Sequence, residues 1–283
     1  MLDTTLQPVA DQSASQRRPV RPARSTTGQA ARRPGPWRRL ASPVVVLALW
    51  QAACSAGLIS PQTLASPWQI LQTAISLTRD GTLPHNLLVS LGRALSGLAI
   101  GTVAGVALAL VAGLSRLGED AVDALMQMGR TLPVLAMVPL FILWFGIGET
   151  PKIALVSLGV LFPIYLNLFK GVRNVDPKLL EMARTLGLSR AQTILQVILP
   201  GALPDLLLGL RFAVGISWLM LVVAEQINAN SGIGHMMMDA EDFLRTDIIL
   251  VGLFVYAALG LISDQIVRSI EARVLAWRPS NVR

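Results

Sequence analysis

Few residues in this chain of 283 are equipped to do chemistry. It holds one cysteine, Cys54, and two histidines, His85 and His235. That rules out an internal disulfide framework and leaves little for a histidine-based metal site. Lysine stands only at 152, 170 and 178, and none follows a glycine. A phosphate loop needs a Gly-Lys step so that the amine reaches the phosphates, so this chain alone is not expected to hydrolyse ATP. One thiol and two distant imidazoles make a poor nucleophile and base. No catalytic residue, metal or cofactor is expected.

The most informative stretch, Lys170 to Pro204, carries a shape instead of a reaction. Asn174-Val175-Asp176-Pro177 sets up a helix start, with Asp176 as N-cap and Pro177 at the first helical position. A short helix through Leu179, Leu180, Met182, Ala183 and Leu186 should end at Gly187. Ser189 with Gln192 three residues on is a capping-box pattern. It opens a second helix, Arg190 to Leu199, expected to stop at Pro200. Two short helices hinged at a glycine make a compact projection. It can rest on a bilayer or plug into a soluble partner.

The elements that must position this projection are membrane spans. Hydrophobic residues make up 53% of the chain and charged residues only 14%, against about 25% charged in an ordinary soluble domain. A spanning helix needs about 20 largely apolar residues. Six segments meet or approach that: Ala41 to Ile59, Leu87 to Leu114, Thr131 to Ile147, Ile153 to Phe169, Leu206 to Ala224 and Ile248 to Val267. The fold expected is all-α and polytopic, with about six transmembrane helices. Arg93, Arg211 and Asp264 lie towards segment ends, where long side chains can snorkel to the headgroups.

Orientation follows from lysine and arginine in the connections. With a cytoplasmic N-terminus, the inside gathers the arginines of the tail, Arg116, Arg130, Lys170, Arg173, Lys178, Arg184, Arg190 and Arg211, and those from Arg268 to Arg283. The outside keeps only Arg79, Lys152 and Arg245. Both termini are therefore expected inside. This asymmetry, with attraction of the tail to anionic lipid, explains the net charge of +7 without nucleic acid. Residues 1–40 are expected to be a disordered basic tail, rich in Pro, Arg, Ser, Gln and Ala. Residues 41–283 form the transmembrane domain, with the projection at about 170–204.

Within the spans, Gly97, Gly101, Gly105, Ala109 and Gly113 recur every fourth residue. Such a stripe of small residues allows close helix approach, either as static packing or as a sliding face. Pro133, Pro139 and Pro163 should bend their helices. Pro133, Pro139, Asn167 and Ser217 are candidates for lining a pathway. Glu225, beside Gln226, is read as lying at the outer end of its span, within reach of water. A secondary transporter would need an ion-coupling carboxylate, and none stands at mid-membrane. The energy for pumping is expected to come from elsewhere. The segment from Gly232 to Asp242 should be a short outer helix, either near a docking surface or holding the last two spans together.

Glu181-Met182-Ala183, then Gly187, then Val197-Ile198-Leu199-Pro200 resemble the "EAA" loop of permease subunits of bacterial ATP-binding-cassette importers. The family pattern is Glu-Ala-Ala, three residues, Gly, nine residues, then Ile, any residue, Leu-Pro. The spacing holds throughout, with Met182 and Val197 as mild apolar departures. The segments 131–136, 139–148, 174–178, 223–227 and 231–234 are similar to the sulfonate, taurine and nitrate branch, most of all to the aliphatic-sulfonate permeases. The likeness covers roughly residues 41 to 279.

The resemblance implies a type I importer permease in the bacterial inner membrane. It implies a homodimer, two cytoplasmic ATPase subunits beneath it, and a periplasmic or lipid-anchored solute-binding protein outside. Glu181, Met182, Ala183, Gly187, Leu199 and Pro200 are then the residues that couple to the ATPases. Taurine, nitrate or a pyrimidine precursor are the alternative solutes within the branch.

Overall fold

The computed structural model describes residues 36–60 and 62–277. The chain divides into two units, Met1–Val46 and Leu47–Arg283. Of the first, only residues 36–46 are described, and they are helical. Most of the expected basic tail thus lies outside the described residues. Among those residues every regular element is helical.

The elements in chain order are α1 (Pro36–Ser55), α2 (Pro67–Arg79), α3 (Thr82–Leu114) and α4 (Arg116–Gly129). A 3-10 turn (Val134–Met137) leads into α5 (Val138–Phe145), followed by α6 (Glu149–Arg173), α7 (Pro177–Thr185) and α8 (Arg190–Thr193). A π-turn (Ile194–Ile198) joins α8 to α9 (Leu199–Asn228), and α10 (Ile233–Asp242) and α11 (Thr246–Val274) complete the chain. Among the described residues four helices are long and apolar enough to cross a bilayer: α3, α6, the continuous run Arg190–Ile227, and α11. The fourth segment read from the sequence, bracketed by Lys152 and Lys170, extends through both to a helix of 25 residues.

The third segment takes a different form from a straight span. The chain bends by 90° between α4 and the run Val134–Phe145. Pro133 is extended, and Pro139, without an N–H, can sit only in the first turn of the new helix. Pro133 lies in the break, so α4 and the run Val134–Phe145 make a broken span or a re-entrant loop. The apolar part of α1, Pro43–Ser55, is shorter than a full span. Two helices carry no strong sequence expectation, α2 and α4, each opened by a serine N-cap (Ser66 and Ser115).

The bundle is built around α6. The glycine stripe of α3 lies flat on it: a Cβ on Gly105 would stand 2.9 Å from the Ile164 side chain, and one on Gly113 2.7 Å from Val172. On the other flank α9 approaches equally closely, with Gly209 against the carbonyl of Pro163 and Gly159 against Met220. In lipid, helices hold together by such close packing and by interhelical polar bonds. Tyr165 donates to Asp123 of α4 at 3.0 Å, and Trp218 Nε1 donates to Ser263 of α11 at 3.0 Å. Arg211 is paired, with Asp264 of α11 at 2.8 Å, and Arg268 takes the other carboxylate oxygen at 2.8 Å. α10 buries Ile233, Met236, Met237 and Ala240 between the ends of its neighbours, the arrangement of a helix that holds the last two spans together.

Candidate functional site

Two polar constructions stand at opposite ends of α6. The first is the elbow between α6 and α9. Asp176 accepts from the Lys178 N–H at 2.9 Å and Pro177 opens α7. At its far end Gly187 has φ +71°, the left-handed conformation a glycine adopts without strain. Leu188 N–H then reaches the Ala183 carbonyl at 3.0 Å, and Gly187 N–H the Arg184 carbonyl at 3.0 Å. These are the paired bonds of a glycine-terminated helix. Ser189 and Gln192 make the reciprocal capping box, at 3.3 and 2.8 Å.

The second arm does not stop at Pro200 as its sequence suggests. A proline in a helix lacks one N–H and crowds the carbonyl four residues back. Here the π-turn widens the helix just upstream, so that Leu199 N–H bonds to Ile194 and the crowding is relieved. The helix therefore runs unbroken for 38 residues, Arg190–Ile227. One arm of the elbow is the end of a membrane-crossing rod. Glu181, Met182, Ala183 and Gly187 share the elbow, while Leu199 and Pro200 lie further on, within the rod. Ala183 is buried, whereas Leu179, Met182 and Leu186 leave an apolar face uncovered. Arg190 ties the elbow to the end of α3, donating to the Leu114 carbonyl at 3.3 Å.

The pathway candidates are scattered. Pro133, in the break after α4, and Pro139, in the first turn of α5, are both exposed. The Asn167 amide is half-buried and donates to the Pro163 carbonyl of its own helix at 2.8 Å. Ser217 is buried and bonds to the Val214 carbonyl at 2.8 Å.

The second construction is a buried charge cluster at the other end. Glu225 is not within reach of water: it is fully buried. Its carboxylate accepts from Arg93 Nη1 at 2.7 Å, from Ser90 Oγ at 2.8 Å, from Tyr256 Oη at 3.0 Å and from Gly234 N–H at 2.9 Å. Arg93 is 3% exposed and does not snorkel. Its Nε and Nη2 grip Glu149 as a fork, and Ser231 accepts two further bonds from it. Ser90 in turn accepts from Ile233 N–H at 2.9 Å, and Asn86 from Gly232 N–H at 2.7 Å. One carboxylate and one guanidinium thus join α3, α6, α9, α10 and α11. The sequence signal for the pair is one isolated cation and one isolated anion, each near the same end of its span.

Helices long and apolar enough to cross a bilayer, with an uncovered elbow at one end, describe a membrane-embedded subunit. The chain belongs to the binding-protein-dependent transport system inner membrane component family, whose sequence model matches residues 101–276. It is 47% identical over 238 residues to the aliphatic sulfonates transport permease protein SsuC of Escherichia coli (strain K12), covering 84% of this chain and 90% of the relative. Against the SsuC protein of Bacillus subtilis (strain 168) it is 43% identical over 249 residues, 88% of this chain and 90% of that one. Among solved structures, an amino acid ABC transporter shares the fold with a TM-score of 0.57 at 19% identity, over 66% of this chain and 92% of that chain. The chain is a multi-pass permease subunit with a type I ABC importer fold, and its family works with ATPase and solute-binding partners.

Proposed function

We propose that this chain is the subunit through which an ATP-binding-cassette importer carries aliphatic sulfonates across the bacterial inner membrane. The observation that carries the reading is its 47% identity, nearly end to end, to a sulfonate transport permease. Two copies form the path, both termini and the elbow face the cytoplasm, and two ATPase subunits dock beneath. Glu181, Met182, Ala183 and Gly187 enter a groove on each ATPase. The apolar face of Leu179, Met182 and Leu186 supports that role, because exposed apolar side chains on a short charged helix are suited to burial against a partner. Leu199 and Pro200 pass the motion into the rod that crosses the membrane.

Energy enters through the ATPases. Glu225 and Asp264, carboxylates within the crossing helices, are each locked to an arginine, which supports a conduit without a proton carrier of its own. Pro133 and Pro139 face the path, Asn167 and Ser217 support it from within the bundle, and selectivity resides largely in the solute-binding protein.

The test is growth of a deletion strain on single sulfur sources, with nitrate supplied separately as a nitrogen source. Loss of growth on alkanesulfonates alone, restored by the gene, is the expected result. A defect confined to taurine or nitrate contradicts the choice of solute.

A further inference from the structure

The Arg93 guanidinium divides its bonds between two unlike carboxylates. Glu225 is fully buried and pinned by Ser90, Tyr256 and the Gly234 N–H, so it is a permanent partner. Glu149 is 56% exposed and is held only by the Arg93 fork and by Lys152, whose Nζ lies at 3.2 Å. It stands at the first position of α6, and with one side open to the exterior its carboxylate can leave by a change of rotamer.

With Glu149 in place, the cations Arg93 and Lys152 balance the anions Glu149 and Glu225. With it swung out, one positive charge is left on an arginine and a lysine that are both almost fully buried. A buried charge demands a partner, and a planar guanidinium fork takes two oxygens of one anion.

We infer that the Arg93 fork, with Lys152, is a binding site for the transported monovalent oxyanion, and that Glu149 is a built-in stand-in that the solute displaces. The inference rests on the importer reading above. It adds residues and a selection rule: one negative charge fits, so sulfonate or nitrate is accepted and doubly charged sulfate is not. Glu225 positions the fork. Glu149 returns when the anion leaves, so Arg93 is never stranded.

The test is equilibrium binding of labelled ethanesulfonate, and separately nitrate, to the assembled importer in lipid nanodiscs without nucleotide or binding protein. A displaceable group that occupies the fork in nine of ten molecules weakens apparent affinity about tenfold. Glu149→Gln is therefore expected to tighten ethanesulfonate binding about tenfold, with no competition from sulfate. A misfolded variant cannot mimic a gain. Glu241→Gln removes the same charge from an exposed site on α10 and should leave binding at the wild-type value. Adding Arg93→Lys to Glu149→Gln should cancel the gain.

Tightening for nitrate instead of ethanesulfonate supports the site and overturns the sulfonate reading. The site is overturned if neither anion binds more tightly to Glu149→Gln, if Glu241→Gln tightens binding equally, if sulfate competes as well as ethanesulfonate, or if the gain survives Arg93→Lys.

Discussion

Replacing Glu225 by alanine is expected to remove most of the folded subunit from the membrane. The substitution strands Arg93, 3% exposed, with a charge that Glu149 at the exposed edge only partly answers. It also takes an acceptor from Ser90, from Tyr256 and from the Gly234 N–H, all buried. Breaking a buried ion pair from one side costs about 3–5 kcal/mol, a large part of the total stability of most domains, about 5–15 kcal/mol. Glu225→Gln should fall between wild type and alanine, since an amide oxygen still accepts but carries no charge. The measurement is the yield of monodisperse subunit after solubilisation, with its melting temperature. A wild-type yield from Glu225→Ala would mean that the cluster does not hold the bundle.

Gly101→Val is expected to be comparably severe for a steric reason. The first carbon of any side chain there would run into the carbonyl oxygen of Ser157 and stand 2.8 Å from the Val160 Cβ. A backbone carbonyl inside a packed helix cannot swing aside as a side-chain end can. Relief requires α3 to lift from α6, which breaks the contacts of the whole stripe. Overpacking of a close interface costs about 1–3 kcal/mol, occasionally more. Gly92→Ala and Gly215→Ala meet nothing within 4 Å, and both should assemble as wild type does. Equal yields from all three variants would show that the stripe is not a tight contact.

The elbow is legible in the sequence because caps are local. Asp176, Gly187 and the Ser189–Gln192 box each act within a few residues, and each is found where the pattern puts it. Long uncharged runs are equally legible, since crossing a bilayer demands apolar length. Hydropathy is blind to backbone direction, however, so residues 131–147 read as a straight span although the chain turns by 90° at Pro133, between α4 and the run Val134–Phe145. Pro200 misleads in the opposite sense, because nothing in the apolar pattern marks the π-turn that absorbs it.

The charge cluster shows the limit of reading one residue at a time. Arg93 and Glu225 are each visible as isolated charges, and snorkelling or water accounts for either alone. Their partnership spans 132 residues of sequence, and only the packing of α3 against α9 and α6 brings them within 2.7 Å. Glu149 is harder still. It stands outside the apolar runs, and its value depends on an arginine delivered by another helix.

ATP-driven solute uptake by the reconstituted importer carrying Gly187→Val tests the account most directly. At φ +71° a β-branched residue is strained by about 1–2 kcal/mol, while a Cβ there meets nothing within 4 Å beyond its chain neighbours. The variant should therefore insert and assemble, yet hold the elbow at a different angle to the rod that begins at Arg190. The account predicts a subunit present in normal amount, with ATP hydrolysis retained and uptake of ethanesulfonate lost. Uptake at the wild-type rate would contradict it, because the motion would then reach the membrane by some route other than this elbow.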